Sequence, residues 1–199
     1  MLRFDSGTAL VVVDVQNDFA DSAGSLHVPL GEQVPGPIDE LVTAALDAGA
    51  MVAYTQDWHP ASTPHFAKDG GIWPVHCLSG SWGAALHPSL VVRGPIVRKG
   101  VNGEDGYSGF TMRDTGTGET IPTELAGMLA GRGIERVIVC GLATDYCVSA
   151  TALDAVSLGL ATTVLLDLVR AVDLAPGDGD RALAAMTAAG VVLSSSDAT

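Results

Sequence analysis

Short apolar runs rich in β-branched residues alternate with segments of helical spacing along the chain. The run at 8–15 (TALVVVDV) is apolar up to Asp14, as in a strand that is buried on both faces. Between 38 and 48, apolar residues recur at helical spacing, with two prolines before the segment and Gly49 after it. The same criteria predict further strands at 50–55, 94–98, 136–140, 161–166 and 191–194, and further helices at 123–130, 145–158 and 178–189.

This alternation predicts an α/β fold. Buried strands that are joined by helices form a parallel sheet through right-handed crossovers, so we expect a three-layer, doubly wound, mainly parallel sheet flanked by helices. At roughly 150 residues per domain, the 199 residues of the chain predict one domain over 1–199. The irregular stretch at about 56–95 is rich in His, Trp and Pro, and its length is typical of a functional loop insertion.

The charge of the chain excludes several classes of function. Ten Lys and Arg residues stand against 23 Asp and Glu residues, and the resulting formal charge of −13 repels nucleic acids and anionic lipid. No apolar run approaches the roughly 18 residues of a membrane span. The N-terminal sequence lacks the pattern of a signal peptide and the three cysteines are an odd number, so we expect a cytoplasmic protein with reduced thiols. A homo-oligomer is compatible with this composition.

Candidate chemistry lies at the ends of the predicted strands. Open parallel sheets bind their ligands at the carboxyl ends of the strands. Asp14 follows the first strand, 56–59 (QDWH) the second, Lys99 the third and 141–147 (GLATDYC) the fourth. An acid, a pair of metal-type side chains, a lysine and a cysteine are therefore expected at one edge of the sheet.

Cys147 is a candidate nucleophile because it lies at the start of a predicted helix. The partial positive charge and unpaired N–H groups of a helix N-terminus favour a thiolate and can hold an oxyanion. A small buried hydrophobe is an equally consistent interpretation of its position, and it is the expected state of Cys77 and Cys140. Asp14 and Lys99 are each ordinary at a strand end, but their arrival beside Cys147 from separate strands favours catalysis.

A second group consists of one carboxylate and three imidazoles within 20 residues. Asp57, His59, His65 and His76 are separated by two, six and eleven residues, and they include three of the five histidines. The D-x-H pair places two ligands on the same side of an extended strand end. A single such histidine is usually structural, whereas the whole group favours one divalent metal ion, namely zinc, iron or manganese.

Four motifs resemble, in order, those of the nicotinamidase branch of the isochorismatase-like cysteine hydrolases. They are the opening motif 14–19 (DVQNDF); a metal segment formed by 57–59 (DWH), 64–66 (PHF) and 73–77 (WPVHC); a lysine loop formed by 99–100 (KG) and 107–110 (YSGF); and the nucleophile turn 141–148 (GLATDYCV). Each motif alone is weakly specific, but four in the family's order are highly specific. The agreement fades after about Asp167.

The resemblance implies the isochorismatase-like hydrolase fold and a thiol-dependent reaction. Asp14 would take the proton of the Cys147 thiol as general base and return it to departing ammonia, while Lys99 keeps both groups charged and positioned. The thiolate would attack a carboxamide, and water would hydrolyse the resulting thioester. By the same resemblance, the backbone N–H groups of Ala143 and Cys147 form the oxyanion hole, and the Leu142–Ala143 peptide is cis.

The resemblance also implies a metal site and a substrate. Asp57, His59 and His76 match the family's metal ligands, and His65 is a further candidate ligand. Related branches of the superfamily lack this D-x-H…H site, so its presence favours a pyridine carboxamide whose ring nitrogen binds the metal. The side chains expected around the ring are Phe19, Trp73, Tyr107 and Tyr146.

The expected reaction is therefore the hydrolysis of nicotinamide to nicotinate and ammonia in NAD salvage, with pyrazinamide as a second substrate. Two alternatives remain open at this stage. One is a related metal-dependent amidase that acts on another small amide. The other is a non-catalytic metal-binding protein on the same scaffold.

Overall fold

The structure is a computed structural model that describes residues 3–197. Its strands are β1 (Thr8–Val13), β2 (Met51–Asp57), β3 (Ile96–Lys99), β4 (Thr111–Arg113), β5 (Thr120–Pro122), β6 (Arg136–Leu142), β7 (Ala161–Arg170) and β8 (Val192–Ser194). Its α-helices are α1 (Asn17–Ala20), α2 (Pro35–Asp47), α3 (Leu125–Ala130), α4 (Ser149–Ser157) and α5 (Asp178–Ala188). None of the helices within 3–197 has the length and apolar character needed to cross a membrane.

Six strands form one parallel sheet in the order β3-β2-β1-β6-β7-β8, which confirms the predicted doubly wound architecture. The β-branched runs are buried on both faces because successive side chains of a strand point in opposite directions. On β1, Leu10 and Val12 pack in one core layer with Ile38 of α2, while Val11 packs in the other layer with Leu125 of α3. The sheet is thus the middle of three layers.

The boundaries of several elements differ from the sequence prediction for local reasons. β1 ends at Val13 because the backbone of Asp14 turns into the left-handed region, with φ of +47°. The helix predicted at 145–158 begins with a π-helical turn, Thr144–Val148, that continues into α4. The helix α1 and the antiparallel β4–β5 hairpin escaped the prediction, because elements of three or four residues are too short to show a period.

The long segment between β2 and β3 is anchored to the carboxyl end of β1. It starts at Trp58, because Gln56 and Asp57 still belong to β2, and it is irregular apart from a short 3₁₀ turn, Ala67–Asp69. The Gln16 side chain donates to the Asp57 carbonyl at 2.8 Å and accepts from the Asp57 N–H at 2.8 Å. The opening motif therefore fixes the start of this segment through hydrogen bonds.

Candidate active site

Four neighbouring strands bring the candidate residues to one edge of the sheet. Asp14 directly follows β1, and Cys147 lies in the turn that follows β6. Asp57 is the last residue of β2, Lys99 is the last residue of β3, and the two are register partners. Asp14, Asp57 and Cys147 each place one ligand atom within 4.8 Å of the other two. The acid, the lysine and the cysteine that the strand ends predicted thus come together in the folded chain.

Lys99 is fully buried and is held by charge and by two backbone carbonyls. Its Nζ lies 2.7 Å from Asp14 Oδ2 and 3.0 Å from Asp57 Oδ1. It also donates to the carbonyls of Gly106 and Tyr107. Burial opposes the charge of this ammonium, but the two carboxylates more than offset burial and raise the pKa of Lys99 well above its ordinary value. The lysine therefore remains a cation.

The pKa values of the two buried carboxylates are shifted in opposite directions. Burial raises the pKa of Asp14 to about 6, although the Lys99 charge acts in the other direction. Burial acts on Asp57 as well, but there Lys99 and His59 prevail and hold the pKa of Asp57 below its ordinary value. Asp14 is thus suited to exchange a proton near neutral pH, and Asp57 is suited to remain an anion.

Cys147 is the cysteine that faces the pocket. The residue retains 7% exposure and lines the cavity, whereas Cys77 and Cys140 are fully buried in the core. Burial raises the pKa of the Cys147 thiol well above its ordinary value, while the Lys99 ammonium opposes that rise. A thiol with a raised pKa needs an adjacent proton acceptor to react as a nucleophile, and the Asp14 carboxylate lies within 4.8 Å of it.

The turn that carries Cys147 depends on a glycine. Gly141 has φ of +113°, and a Cβ there would lie 2.1 Å from the Val13 carbonyl oxygen. A larger residue cannot pass beside β1 at this point. In the same turn, the Leu142–Ala143 peptide is cis, as the family resemblance implied. Ala143 and Cys147 both line the cavity.

The predicted metal ligands also come together. One ring nitrogen from each of His59, His65 and His76 lies within 4.8 Å of the others, and all three residues are buried. Asp57 Oδ2 lies 3.7 Å from His59 Nε2 and 3.9 Å from His76 Nε2. The carboxylate and the three imidazoles therefore form one cluster.

Hydrogen bonds prepare two of these imidazoles as ligands. His76 Nδ1 donates to the Pro74 carbonyl at 2.8 Å, and His65 Nδ1 lies 2.9 Å from Asp105 Oδ1. In each ring this contact leaves Nε2 with its lone pair. Burial lowers the pKa of His65 and lowers that of His76 to about 4, so both rings stay neutral at pH 7.

Unpaired polar atoms in the cluster fit a divalent ion. Both ring nitrogens of His59 are buried without a hydrogen-bond partner in the described chain, and the nearest carboxylate oxygen, Asp57 Oδ2, lies 3.7 Å from His59 Nε2. Buried polar atoms are normally satisfied, so unpaired ring nitrogens in a cluster of ligand-type side chains fit coordination of a metal ion. Three imidazoles and one carboxylate suit zinc, iron or manganese.

Aromatic side chains form the walls of the cavity that opens onto Cys147. Trp73 Nε1 donates to the Tyr107 hydroxyl at 2.9 Å, and the Trp73 and Tyr146 rings meet edge to face at 4.8 Å. Phe19 lies against His76, with ring centroids 5.5 Å apart. All four aromatic residues that were expected around the substrate line this cavity, as do Leu26, Val28 and Val172, which the sequence did not single out.

Two polar residues of the site were not predicted from the sequence. Thr55 on β2 donates to Asp14 Oδ1 at 2.6 Å, and Asp105 orients His65. The threonine looked like an ordinary β-branched strand residue. The contact between Asp105 and His65 spans 40 residues of irregular chain, and no local pattern predicts it.

Fold and site together define the class of the protein. A doubly wound α/β sheet carries a buried thiol, a carboxylate and an ammonium at its carboxyl edge, beside an aromatic cavity. This arrangement is that of a thiol-dependent hydrolase.

Comparison with known proteins narrows this class. The chain belongs to the isochorismatase domain family, whose pattern matches residues 8–198. It is 37% identical to the nicotinamidase of Escherichia coli (strain K12), over 93% of each chain. PnC1 from L. infantum in complex with nicotinate has a TM-score of 0.88 at 38% identity, covering 99% of this chain and 97% of that one. The pyrazinamidase of Pyrococcus horikoshii in complex with zinc has a TM-score of 0.84 at 37% identity, covering 95% of this chain and 99% of that one.

Proposed function

We propose that the protein is an amidohydrolase that converts nicotinamide to nicotinate and ammonia through a cysteine thioester, in NAD salvage. The observation that carries this proposal is the buried cluster of Asp14, Lys99 and Cys147 at the base of an aromatic cavity. The similarity to a nicotinamidase and to a nicotinate complex, over nearly the whole chain, supports the choice of substrate.

The first half of the reaction uses Asp14 as a base and then as an acid. Asp14 accepts the proton of the Cys147 thiol, and the sulfur attacks the carboxamide carbon to form a tetrahedral intermediate. When the carbon–nitrogen bond breaks, Asp14 returns the proton to the nitrogen, and ammonia leaves. A pKa of about 6 suits Asp14 to both directions of this transfer at neutral pH.

The second half releases the acid. Asp14 accepts a proton from water, whose oxygen attacks the thioester carbon. The carbon–sulfur bond then breaks, and the proton returns to the sulfur of Cys147. In both halves the negative oxygen of the intermediate is assigned to the backbone N–H groups of Ala143 and Cys147, which line the cavity.

Lys99 is assigned an electrostatic role. Its ammonium lies between the Asp14 and Asp57 carboxylates and counts among the charges that act on the thiol. A buried cation stabilises the thiolate while Asp14 holds the proton. The carbonyls of Gly106 and Tyr107 keep the ammonium in place through both half-reactions.

The metal ligands are assigned as Asp57, His59, His65 and His76. A divalent ion bound there supplies a Lewis acid that a pyridine nitrogen can coordinate. The walls formed by Phe19, Trp73, Tyr107 and Tyr146 suit a flat ring, and they leave the carboxamide on the side of Cys147. Zinc is our choice of metal, because a pyrazinamidase of the same fold holds zinc. The insertion at about 56–95 is then the metal-binding loop of a single hydrolase domain.

Ammonia release from three amides tests the proposal. Nicotinamide and pyrazinamide share a ring nitrogen at the matching position, whereas benzamide has the same shape and lacks that atom. We expect turnover of the first two and a kcat/KM for benzamide at least about 100-fold lower. Equal kcat/KM for benzamide and nicotinamide in metal-loaded protein would contradict the assignment of the substrate. Cys147→Ala is the control that separates enzymatic from background release.

A further inference from the structure

We propose that Thr55 is a positioning residue that sets the orientation of the Asp14 carboxylate; this inference rests on the proposed function. Thr55 lies on β2, fully buried, beside the point where the chain leaves β1. Its hydroxyl donates to Asp14 Oδ1 at 2.6 Å and accepts the Asp14 N–H at 3.2 Å. One hydroxyl thus binds the main chain and the side chain of the same residue.

The need for this contact follows from the backbone of Asp14. A φ of +47° is uncommon for a residue with a side chain, and it lies where the chain leaves the sheet ladder. The Asp14 N–H has no partner in a continued strand, and it finds one in the Thr55 hydroxyl. The turn and the direction of the carboxylate are therefore fixed together.

The two oxygens of Asp14 are held by different groups. Lys99 Nζ occupies Oδ2 at 2.7 Å, and Thr55 Oγ1 occupies Oδ1 at 2.6 Å. Two donors on opposite oxygens fix the plane of a carboxylate, whereas one donor leaves it free to rotate. A fixed plane holds the carboxylate beside the sulfur of Cys147, from which Asp14 accepts a proton once and to which it returns a proton once in each turnover.

Packing gives Thr55 little freedom of its own. A Cβ added to Gly109 would lie 2.9 Å from the Thr55 methyl group, so the methyl side of Thr55 is closely packed. Valine would fill this space and suits a buried strand at least as well as threonine does. The hydroxyl, rather than the shape of the side chain, is the feature that this position uses.

The test compares Thr55→Val, which removes the hydroxyl at constant shape, with Thr55→Ser, which keeps it. We expect Thr55→Val to lower kcat for nicotinamide at least tenfold with KM within twofold, because the ring contacts are unchanged. Thr55→Ser is expected to stay within threefold of the wild-type kcat. The control is Thr8→Val, the same change at a buried threonine that donates to Asp5 at the opposite end of β1, and it should leave kcat unchanged.

Three results decide the proposal. A wild-type kcat in Thr55→Val would overturn it. An equal loss of kcat in Thr55→Val and Thr55→Ser would also overturn it, because such a loss would mean that packing against Gly109, and not the hydroxyl, is what matters. If wild-type protein releases no ammonia from nicotinamide, the proposed function fails. The positioning role of Thr55 is then tested by the alkylation rate of Cys147 alone. The rate at which iodoacetamide modifies Cys147 should then fall at least fivefold in Thr55→Val and recover in Thr55→Ser; an unchanged rate in Thr55→Val would overturn the proposal.

Discussion

The Lys99 ammonium lies 3.0 Å from Asp57 Oδ1, while the other oxygen of Asp57 faces the histidine cluster. One carboxylate therefore contacts both the thiol site and the histidine cluster. Lys99 balances Asp14 and Asp57 together, so the charge at either site depends on the other. Changes at the cluster are expected to reach Cys147 through this shared lysine.

The identity of the nucleophile can be tested by two matched cysteine variants. Cys147→Ala removes the attacking atom and is expected to lower kcat by about 10⁴-fold or more. Cys140→Ala makes the same change in β6, away from the cavity, and should keep kcat within twofold. Iodoacetamide should modify Cys147 before Cys140, because Cys140 is fully buried. Peptide mass mapping after partial alkylation checks the order, and loss of activity through Cys140 would contradict the assignment.

The buried ion pair can be tested through stability. Lys99→Met leaves Asp14 and Asp57 without their cation, and breaking a buried pair in this way typically destabilises a protein by about 3–5 kcal/mol. Adding Asp14→Asn removes one of the two stranded charges. We therefore expect the double variant to lose less stability than the sum of the two single variants. Urea unfolding of the four proteins measures this difference, and strictly additive losses would contradict the coupling.

Metal content tests the histidine cluster. His59→Ala removes a proposed ligand whose two ring nitrogens have no partner in the described part of the chain, and it is expected to reduce bound metal from near one equivalent to well below half. His87→Ala is the control, because His87 lies outside the cluster. Elemental analysis after dialysis gives the stoichiometry. The thermal midpoint of wild-type protein should also fall when a chelator removes the ion.

Gly106→Ala tests whether the loop at Gly106 positions the Lys99 side chain. A Cβ there would lie 2.9 Å from Lys99 Cβ and 3.2 Å from Asp57 Oδ1, so the loop or the lysine must move. We expect kcat to fall at least tenfold. Gly127→Ala is a matched change in α3, where a Cβ meets no atom within 4 Å, and it should stabilise the protein by about 0.5–1 kcal/mol without affecting kcat. Equal kcat in the two variants would show that the loop is not essential to Lys99.

The sequence predicted those features that depend on local pattern. Five of the six sheet strands follow from apolar runs bounded by glycine or charge, and the sixth, β8, from a short run after Gly190. Convergence of Asp14, Lys99 and Cys147 follows from the geometry of parallel strands, because their carboxyl ends share one edge. The fold and the outline of the candidate site therefore follow from local sequence pattern and the geometry of parallel strands.

Features that depend on tertiary contact were not accessible in this way. A threonine in a strand gives no sign of whether its hydroxyl meets a carboxylate, so the role of Thr55 could not be inferred. The pairing of His65 with Asp105 arises from two irregular segments whose paths the sequence does not define. Val172 reaches the cavity because the Asp145 carboxylate accepts the N–H groups of Val172 and Asp173, a contact that spans the whole of α4 and β7.

The pairing of β1 with β6 has a consequence for how the protein becomes active. Val13 and Gly141 are register partners although 128 residues separate them in the chain, and this pairing is what brings Asp14 to Cys147. Parallel pairings between distant segments form slowly, because closing a long loop costs entropy before the new contacts can offset it. During refolding, amidase activity should therefore return after the helical circular dichroism. A nascent chain that ends before β6 contains Asp14 and Lys99, but it has neither Cys147, the proposed nucleophile, nor the strand that positions it.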